Sequence, residues 1–340
     1  MLNSSHKKLL LLIVSLTISI ITLVSLLALT TTLETYNILA KINPLYLVAA
    51  IGMHAVGWLI QGVRLKVMCE FIGGESLPLQ KSLKLILASY FAACITPSQF
   101  GGEPVRVYML KQENLTVGDG TAVIFSERAL DVVFIVFGAA VSSLLFRTLL
   151  AQNIILYAVF TFFGIILCAA IAFMTYGIVN PERVKELIGT LFLKLKVSPK
   201  HKRLEELKEK VHQEVDNFYG AMKRFKSEGK STLVLAFLLT ITFWLIDFII
   251  PSVILLGFGA DPVWLYSIAA QFILIIIMAL PTTPGSSGVA ELSFASFYST
   301  LVAAPVLGMF TVTWRLIMYY MNLIAGSTIT LKILGEGWRE

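Results

Sequence analysis

The chain has 340 residues, 57% of them hydrophobic and only 14% charged, with a mean hydropathy of +0.81. A soluble domain of this length would be about a quarter charged, so the composition excludes a soluble globular protein and specifies an all-α, polytopic membrane protein. The formal net charge is +6, but the basic residues are interleaved with acids beside apolar runs, which argues against a nucleic-acid partner. Cys69, Cys94 and Cys168 form no CxxC pair and only His54 of four histidines lies in an apolar segment, so neither a disulfide framework, a metal site nor a cofactor is expected.

In chain order, the first apolar run, Leu9 to Leu29, is too long for a signal-peptide core and lacks a cleavage site, so it reads as a transmembrane helix. Further spans lie near 44–63, 119–146, 154–177, 232–256 and 306–334. These make about six full crossings of a hydrocarbon layer ~30 Å thick. Residues 82–110 and 264–304 are apolar but interrupted. Residues 180–230 are hydrophilic, with 13 Lys plus Arg against 8 Asp plus Glu, and by the positive-inside rule they are cytoplasmic. Asn180, Pro181 and Glu182 start an amphipathic helix there, with Val184, Leu187, Ile188, Leu191 and Leu195 on one face. A second apolar stripe runs from Leu204 through Leu207, Val211, Val215, Phe218 and Met222 to Phe225. The pair is expected along the cytoplasmic interface near anionic headgroups, or packed on the protein itself. The whole chain, 1–340, reads as a single integral membrane domain containing this loop.

The remaining basic residues check the topology. Lys7 and Lys8 precede the first span, Arg64 and Lys66 follow the second, and Lys332 and Arg339 close the chain. All are cytoplasmic, with both termini, only if each interrupted segment leaves on the side it entered. Two re-entrant hairpins are therefore expected, 82–110 from the cytoplasm and 264–304 from outside.

The interruptions are alike. "TPSQFGGE" (96–103) aligns with "TPGSSGVAE" (283–291), matching Thr-Pro, Gly101 with Gly288, and a following glutamate. Paired broken helices in the two halves of a membrane protein point to an inverted repeat with a site at the midplane. Proline stops a helix and glycine allows unusual backbone. Such backbone survives in a membrane only when buried in protein or lining a wet cavity. Gly101, Gly102 and Gly288 shape the breaks, and Ser98, Gln99, Ser286 and Ser287 are candidates to cap the helix ends or bind a ligand. Charges inside the spans point the same way: Glu127 and Asp131 share a helix face, and Arg128 is close enough to pair with Asp131. Asp247 lies four residues before Pro251, and Arg315 falls near mid-membrane. Together with Glu103, Arg106 and Glu291 these are eight charges at a depth that costs ~3 kcal/mol or more each, the usual mark of a pathway.

"TPSQFGGEPVRVYML", then "SERALDVV", "LPTTPGSSGVAE" and a final-span "WRLIMYY" resemble the flippase-like membrane domain of the lysylphosphatidylglycerol synthase family over about residues 9–334. The resemblance implies a translocase for a polar-headgroup lipid, such as an aminoacylated phospholipid or a polyprenyl-phosphate-linked lipid. Archaeal relatives look like partners of polyprenol-linked glycan assembly. It does not imply synthase activity, because only "GEGWRE" follows the last span and no transferase domain is expected. Transport would then be passive or ion-coupled, at a cell membrane and without enzymatic turnover. Glu103, Glu127, Asp131 and Glu291 become candidate proton or cationic-headgroup sites, and Arg106, Arg128 and Arg315 candidate phosphate partners. A small-solute or ion transporter of the same architecture is the alternative. An intramembrane hydrolase using "GSSG" would need His54 as base, whereas a hydrogen-bonded packing role suits that histidine better.

Overall fold

Helix starts and stops follow local chemistry. Asn43 accepts a hydrogen bond from the Leu45 N–H (3.1 Å), Pro44 occupies the first turn, and Gly74 ends the helix at φ 72°; these are the residues that favour those positions. The computed structural model describes residues 4–96, 101–145, 202–279, 283 and 285–336, with scattered positions between 161 and 186. The expected span 154–177 and the first amphipathic helix of the basic loop therefore fall largely outside the described residues. The described chain is helical: α1 (Ser4–Thr30), α2 (Leu33–Leu39), α3 (Pro44–Gly73), α4 (Leu79–Cys94), α5 (Gly102–Gln112), α6 (Val117–Leu145), α7 (Lys202–Ser227), α8 (Lys230–Gly257), α9 (Trp264–Met278), α10 (Val289–Tyr298), α11 (Ala304–Arg315) and α12 (Met321–Glu336). A π-helical segment, Leu316–Tyr320, joins the last two.

Among the described residues, α3, α8 and the run Ala304–Ile333 are long and apolar enough to cross a membrane. Leu16–Thr30 and α2 qualify together but are bent by 109°. At ~1.5 Å per residue the 29 residues of α6 are also long enough; Glu127, Arg128 and Asp131 make its middle polar. The second helix extends past the expected 63 to Gly73, so Arg64 is inside it and buried. Its use as a cytoplasmic flanking charge is thereby corrected.

The helix ends sort into two groups. At one end of the molecule, α7 lies across its neighbours. Glu214 accepts from the Gly118 N–H at the start of α6 (2.7 Å), and Arg224 donates to the Ile72 carbonyl near the end of α3 (2.9 Å) and to Asp119 (3.2 Å). An anion at a helix start and a cation at a helix end both complement the helix dipole. The later part of the second apolar stripe thus packs on α6, with Phe225 buried and Phe218 and Met222 partly so. Lys81 in the first turn of α4 pairs with Glu113 just after α5 (2.6 Å), so the segment 79–113 starts and finishes at this end. At the other end, Asn43 N–H donates to the Gly257 carbonyl (2.9 Å) and Thr35 to the Pro305 carbonyl (2.9 Å). There Ser267, in the first turn of α9, bonds Tyr298, the last residue of α10 (2.7 Å). The segment 264–298 thus starts and finishes at the opposite end.

The tips of these two segments touch. Gly285 N–H donates to the Thr96 carbonyl (3.2 Å), and Tyr319 OH donates to the Cys94 carbonyl (3.1 Å). Thr96 Oγ1 accepts from Gly101 N–H (2.9 Å) and itself donates to the Ala92 carbonyl (2.8 Å). In the second break Ser286 donates to the Met278 carbonyl (2.7 Å) and Thr283 to the Ser287 carbonyl (2.6 Å). These backbone groups of the described residues at each break are therefore taken up inside the protein, as a bilayer requires. Ser98, Gln99, Pro97 and Pro284 lie outside the described residues.

Gly285 sits at φ 59°, and a Cβ there would lie 2.8 Å from the Cys94 carbonyl oxygen. Gly285→Ala combines a left-handed backbone, unfavourable by ~1–2 kcal/mol for other residues, with a collision at the tip contact. It is expected to lower the melting temperature in detergent clearly. Gly52→Ala, where nothing lies within 4 Å, serves as the control and should leave it unchanged or slightly higher.

Candidate functional site

Three polar assemblies surround the meeting point of the tips. The first is a chain of alternating charge. Arg106 pairs with Glu127; Glu127 with Arg64 (3.2 Å); Arg64 with Asp131 (2.7 Å); Asp131 with Arg128 (3.2 Å); and Arg128 with Glu103 (3.1 Å). Arg64 also donates to Thr240 (2.7 Å) and Gln61 (3.2 Å), and Trp244 donates to Asp131 (3.1 Å). Four of the six ions lie deep in the protein and the last pair does not: the Arg128 and Glu103 side chains are 41% and 33% exposed, against 3% or less for the other four. The chain of charge thus runs from a sealed interior to an open end.

The second assembly locks the other break. Arg315 reaches Glu291 (2.9 Å), the Gly285 carbonyl (2.9 Å) and Ser287 (3.3 Å), and stacks over Tyr319 at 4.1 Å. Glu291 accepts from Gly288 N–H (2.6 Å) and from Ser19. Glu291 is fully buried. It caps its own half-helix as the third residue of the turn, rather than waiting at a water-filled break, so the expectation that it meets headgroups directly is corrected. The π-helical turn directly after Arg315 is a feature that often marks functional positions in helices.

The third assembly is His54, bonded through Nδ1 to Asp247 (3.2 Å) and through Nε2 to Asn322 (3.1 Å).

A cavity of about 360 Å³ opens among α3, α4, α5, α6, α8, α9 and the last span, within the range of small-molecule sites. Gly102, Glu103, Arg106, Arg128, Asp131, Asp247, His54 and Arg315 reach its wall, with an apolar remainder that includes Ile86, Val132, Ile135, Phe248 and Ile275. Arg106 Nε, Trp314 Nε1 and Glu103 Oε2 have no hydrogen-bond partner among the described residues. Glu127, Ser286, Ser287, Gly288 and Glu291 stand behind the wall, and Gly101 packs against Thr96 and the Ala92 carbonyl. No group of three metal-ligating side chains occurs among the described residues. Ser286 donates to backbone and both His54 nitrogens are engaged elsewhere, so no Ser–His pair is assembled.

Sequence reasoning missed Arg64 as the hub and His54 as a wall residue. A signal was present: His54, Gln61 and Arg64 are spaced by seven and three and so share one face of α3, and Thr240 and Asp247, seven apart, face them from α8.

Residues 12–326 match the family described as lysylphosphatidylglycerol synthase TM region. The chain belongs to this family. Its relatives include a UPF0104 membrane protein of Archaeoglobus fulgidus, 33% identical over 86% of this chain and 88% of the relative. Others are the UPF0104 membrane proteins of Methanocaldococcus jannaschii, 27% identical over 88% of each chain, and of Methanothermobacter thermautotrophicus, 24% identical over 85% of each. The family assignment, the apolar spans and the helical fold together make this a membrane protein.

Arg64 holds two carboxylates, so Arg64→Met strands buried charge and should cost ~3–5 kcal/mol, read as lost folded yield and melting temperature. Arg64→Met/Asp131→Leu leaves the complete pairs Arg106–Glu127 and Arg128–Glu103. It should recover part of the loss, with a coupling of ~1–3 kcal/mol.

Proposed function

We propose that the protein is a lipid translocase, holding a polar headgroup in the central cavity while the lipid tails stay in the bilayer. The observation that carries this reading is the half-exposed Arg128–Glu103 pair at the open end of an otherwise buried ion chain, beside unfilled polar atoms of Arg106, Trp314 and Glu103. A headgroup that carries phosphate and a hydrogen-bond donor has partners of both kinds there. On this reading the segments 79–113 and 264–298 are re-entrant hairpins of an inverted repeat, entering from opposite faces of a cell membrane. The tip-to-tip contact supports a common depth for both breaks, the arrangement used by transporters with midplane sites. The N- and C-terminal ends and the basic loop 180–230 are cytoplasmic, with the loop's lysines near anionic headgroups. The protein carries its substrate between leaflets without transforming it.

The test uses purified protein in sealed vesicles and fluorescent phospholipids whose outer-leaflet fraction is chemically quenched. Wild-type protein should speed leaflet redistribution. Because the Arg128–Glu103 pair is partly solvated, breaking it costs ~1 kcal/mol or less in stability. Glu103→Gln should therefore keep the wild-type melting temperature yet slow redistribution about tenfold, the effect of losing ~1.4 kcal/mol of headgroup contact. Uptake of a polar solute with no redistribution of any lipid would replace this reading by that of a solute transporter.

A further inference from the structure

We propose that His54 and Asp247 form a proton-binding site, occupied in the present conformation, whose proton is exchanged during the transport cycle. The coupling half of this statement rests on the translocase reading; the proton site itself does not.

The first observation is the geometry around the imidazole. Nδ1 faces a carboxylate oxygen of Asp247 at 3.2 Å, and Nε2 faces the amide oxygen of Asn322 at 3.1 Å. The orientation of that amide is fixed independently. Its nitrogen donates to the Met318 carbonyl (2.8 Å), and its oxygen accepts from the Trp58 indole N–H (2.8 Å). Turning the amide over would set its N–H₂ against the indole N–H and its oxygen against a carbonyl. Both imidazole nitrogens therefore face acceptors. A neutral imidazole has one donor and one acceptor nitrogen, whereas the imidazolium donates from both. With Asp247 ionised, the surroundings are satisfied only by the protonated ring.

The second observation is charge balance. Among the described residues, the buried ions of the membrane interior are Arg64, Arg106 and Arg315 against Glu127, Asp131, Asp247 and Glu291. The half-exposed Arg128–Glu103 pair adds one of each sign. Every carboxylate of this set except Asp247 has an arginine partner. A lone buried carboxylate is strongly unfavourable in a low-dielectric setting, and protonated His54, 3% exposed, is the cation that completes the set.

The third observation is access. His54 and Asp247 both reach the cavity wall, so the proton has a route to water whenever the cavity is open. From the packed elements, the groups facing the ring are Asp247 of α8, Asn322 of α12 and Trp58 of α3 itself. The other ionisable side chains on the shared cavity wall are Tyr90 and Cys94 of α4, Glu103 and Arg106 of α5, Arg128 and Asp131 of α6, and Arg315 and Tyr319 of the last span. The arginines and acids in that set are paired with each other or with Glu127 and Glu291, which leaves Asp247 to balance the histidine. The proton enters on a ring nitrogen from cavity water and leaves the same way. Its departure leaves Asp247 without a compensating charge, a state the interior reaches only when it rearranges or when the headgroup supplies the missing charge. Movement of the headgroup and of the proton are thereby linked.

Two measurements test this. Protein labelled with nitrogen-15 in its histidines, held in lipid nanodiscs, reports the ring state of His54, assigned by loss of its signals in His54→Gln. At about pH 7.5, where an ordinary histidine is mostly neutral, wild type should give two protonated ring nitrogens. Asp247→Asn should give a neutral ring. In sealed vesicles, reversing the pH gradient should change the wild-type lipid redistribution rate several-fold, and both His54→Gln and Asp247→Asn should lose that response. A neutral His54 ring in wild type would overturn the proton site. A protonated ring with identical rates under both gradients would overturn the coupling. If wild type moves no lipid, the translocase reading and the coupling fall together, while the nitrogen shifts still decide the site.

Discussion

A backbone N–H or carbonyl in a bilayer has no water to bond, and each one left unpaired costs several kcal/mol. Two broken helices create many such groups at once, and the rest of the molecule is arranged around satisfying them. The first tip is met by the second and by the last span: the Thr96 carbonyl takes the Gly285 N–H, and the Cys94 carbonyl takes the Tyr319 hydroxyl. Side chains supply further partners. Thr96 and Glu291 accept from the glycine N–H groups that open the outgoing half-helices, while Ser286 and Arg315 donate to carbonyls around the second break. The two sides are unlike in one respect. The first break is closed by a hydroxyl and the second by a carboxylate, which in turn requires Arg315. The glutamate of the first break, Glu103, is consequently free to face the cavity.

The same logic of compensation organises the charges. Arg64 bonds both Glu127 and Asp131, one turn apart on α6, and so staples α3 to α6 in the interior of the protein. Because charge alternates along the chain from Arg106 to Glu103, no member is without a partner until the open end is reached. That end is where a ligand exchanges partners with least loss, since its ions are already part-solvated. The buried ions hold the geometry, and the part-solvated pair faces the cavity.

Much of this was legible in the sequence, for reasons that differ by residue. The breaks were readable because Thr-Pro and Gly-rich runs are rare inside long apolar stretches and recur once in each half. The distribution of basic residues led to an expectation of two segments that each return to their own end, and 79–113 and 264–298 do so at opposite ends of the molecule, although Arg64 contributed to that argument in error: an arginine near the apparent end of an apolar run looks the same whether it flanks the membrane or lies buried within a longer helix. Helix pairing was not readable. Nothing in α6 alone says that Asp131, besides pairing with Arg128 one turn away, also bonds Arg64, 67 residues earlier, because that second contact is made by the packing of α3 on α6. The role of Glu291 was misjudged for a similar reason. Its position in the first turn of a half-helix suits either a cap or a ligand-facing acid, and only the location of Arg315 and Ser19 decides.

The central claim is that two hairpins enter from opposite faces and meet at one depth. Single cysteines at the exposed positions Lys81, Gln112, Asp261 and Ser299, in a chain with Cys69, Cys94 and Cys168 replaced, test it directly with a membrane-impermeant thiol reagent applied to each side of sealed membranes. The account predicts that Lys81→Cys and Gln112→Cys are modified from one side only, and Asp261→Cys and Ser299→Cys from the other side only. Modification of the two members of either pair from opposite sides, or of all four from the same side, would contradict it.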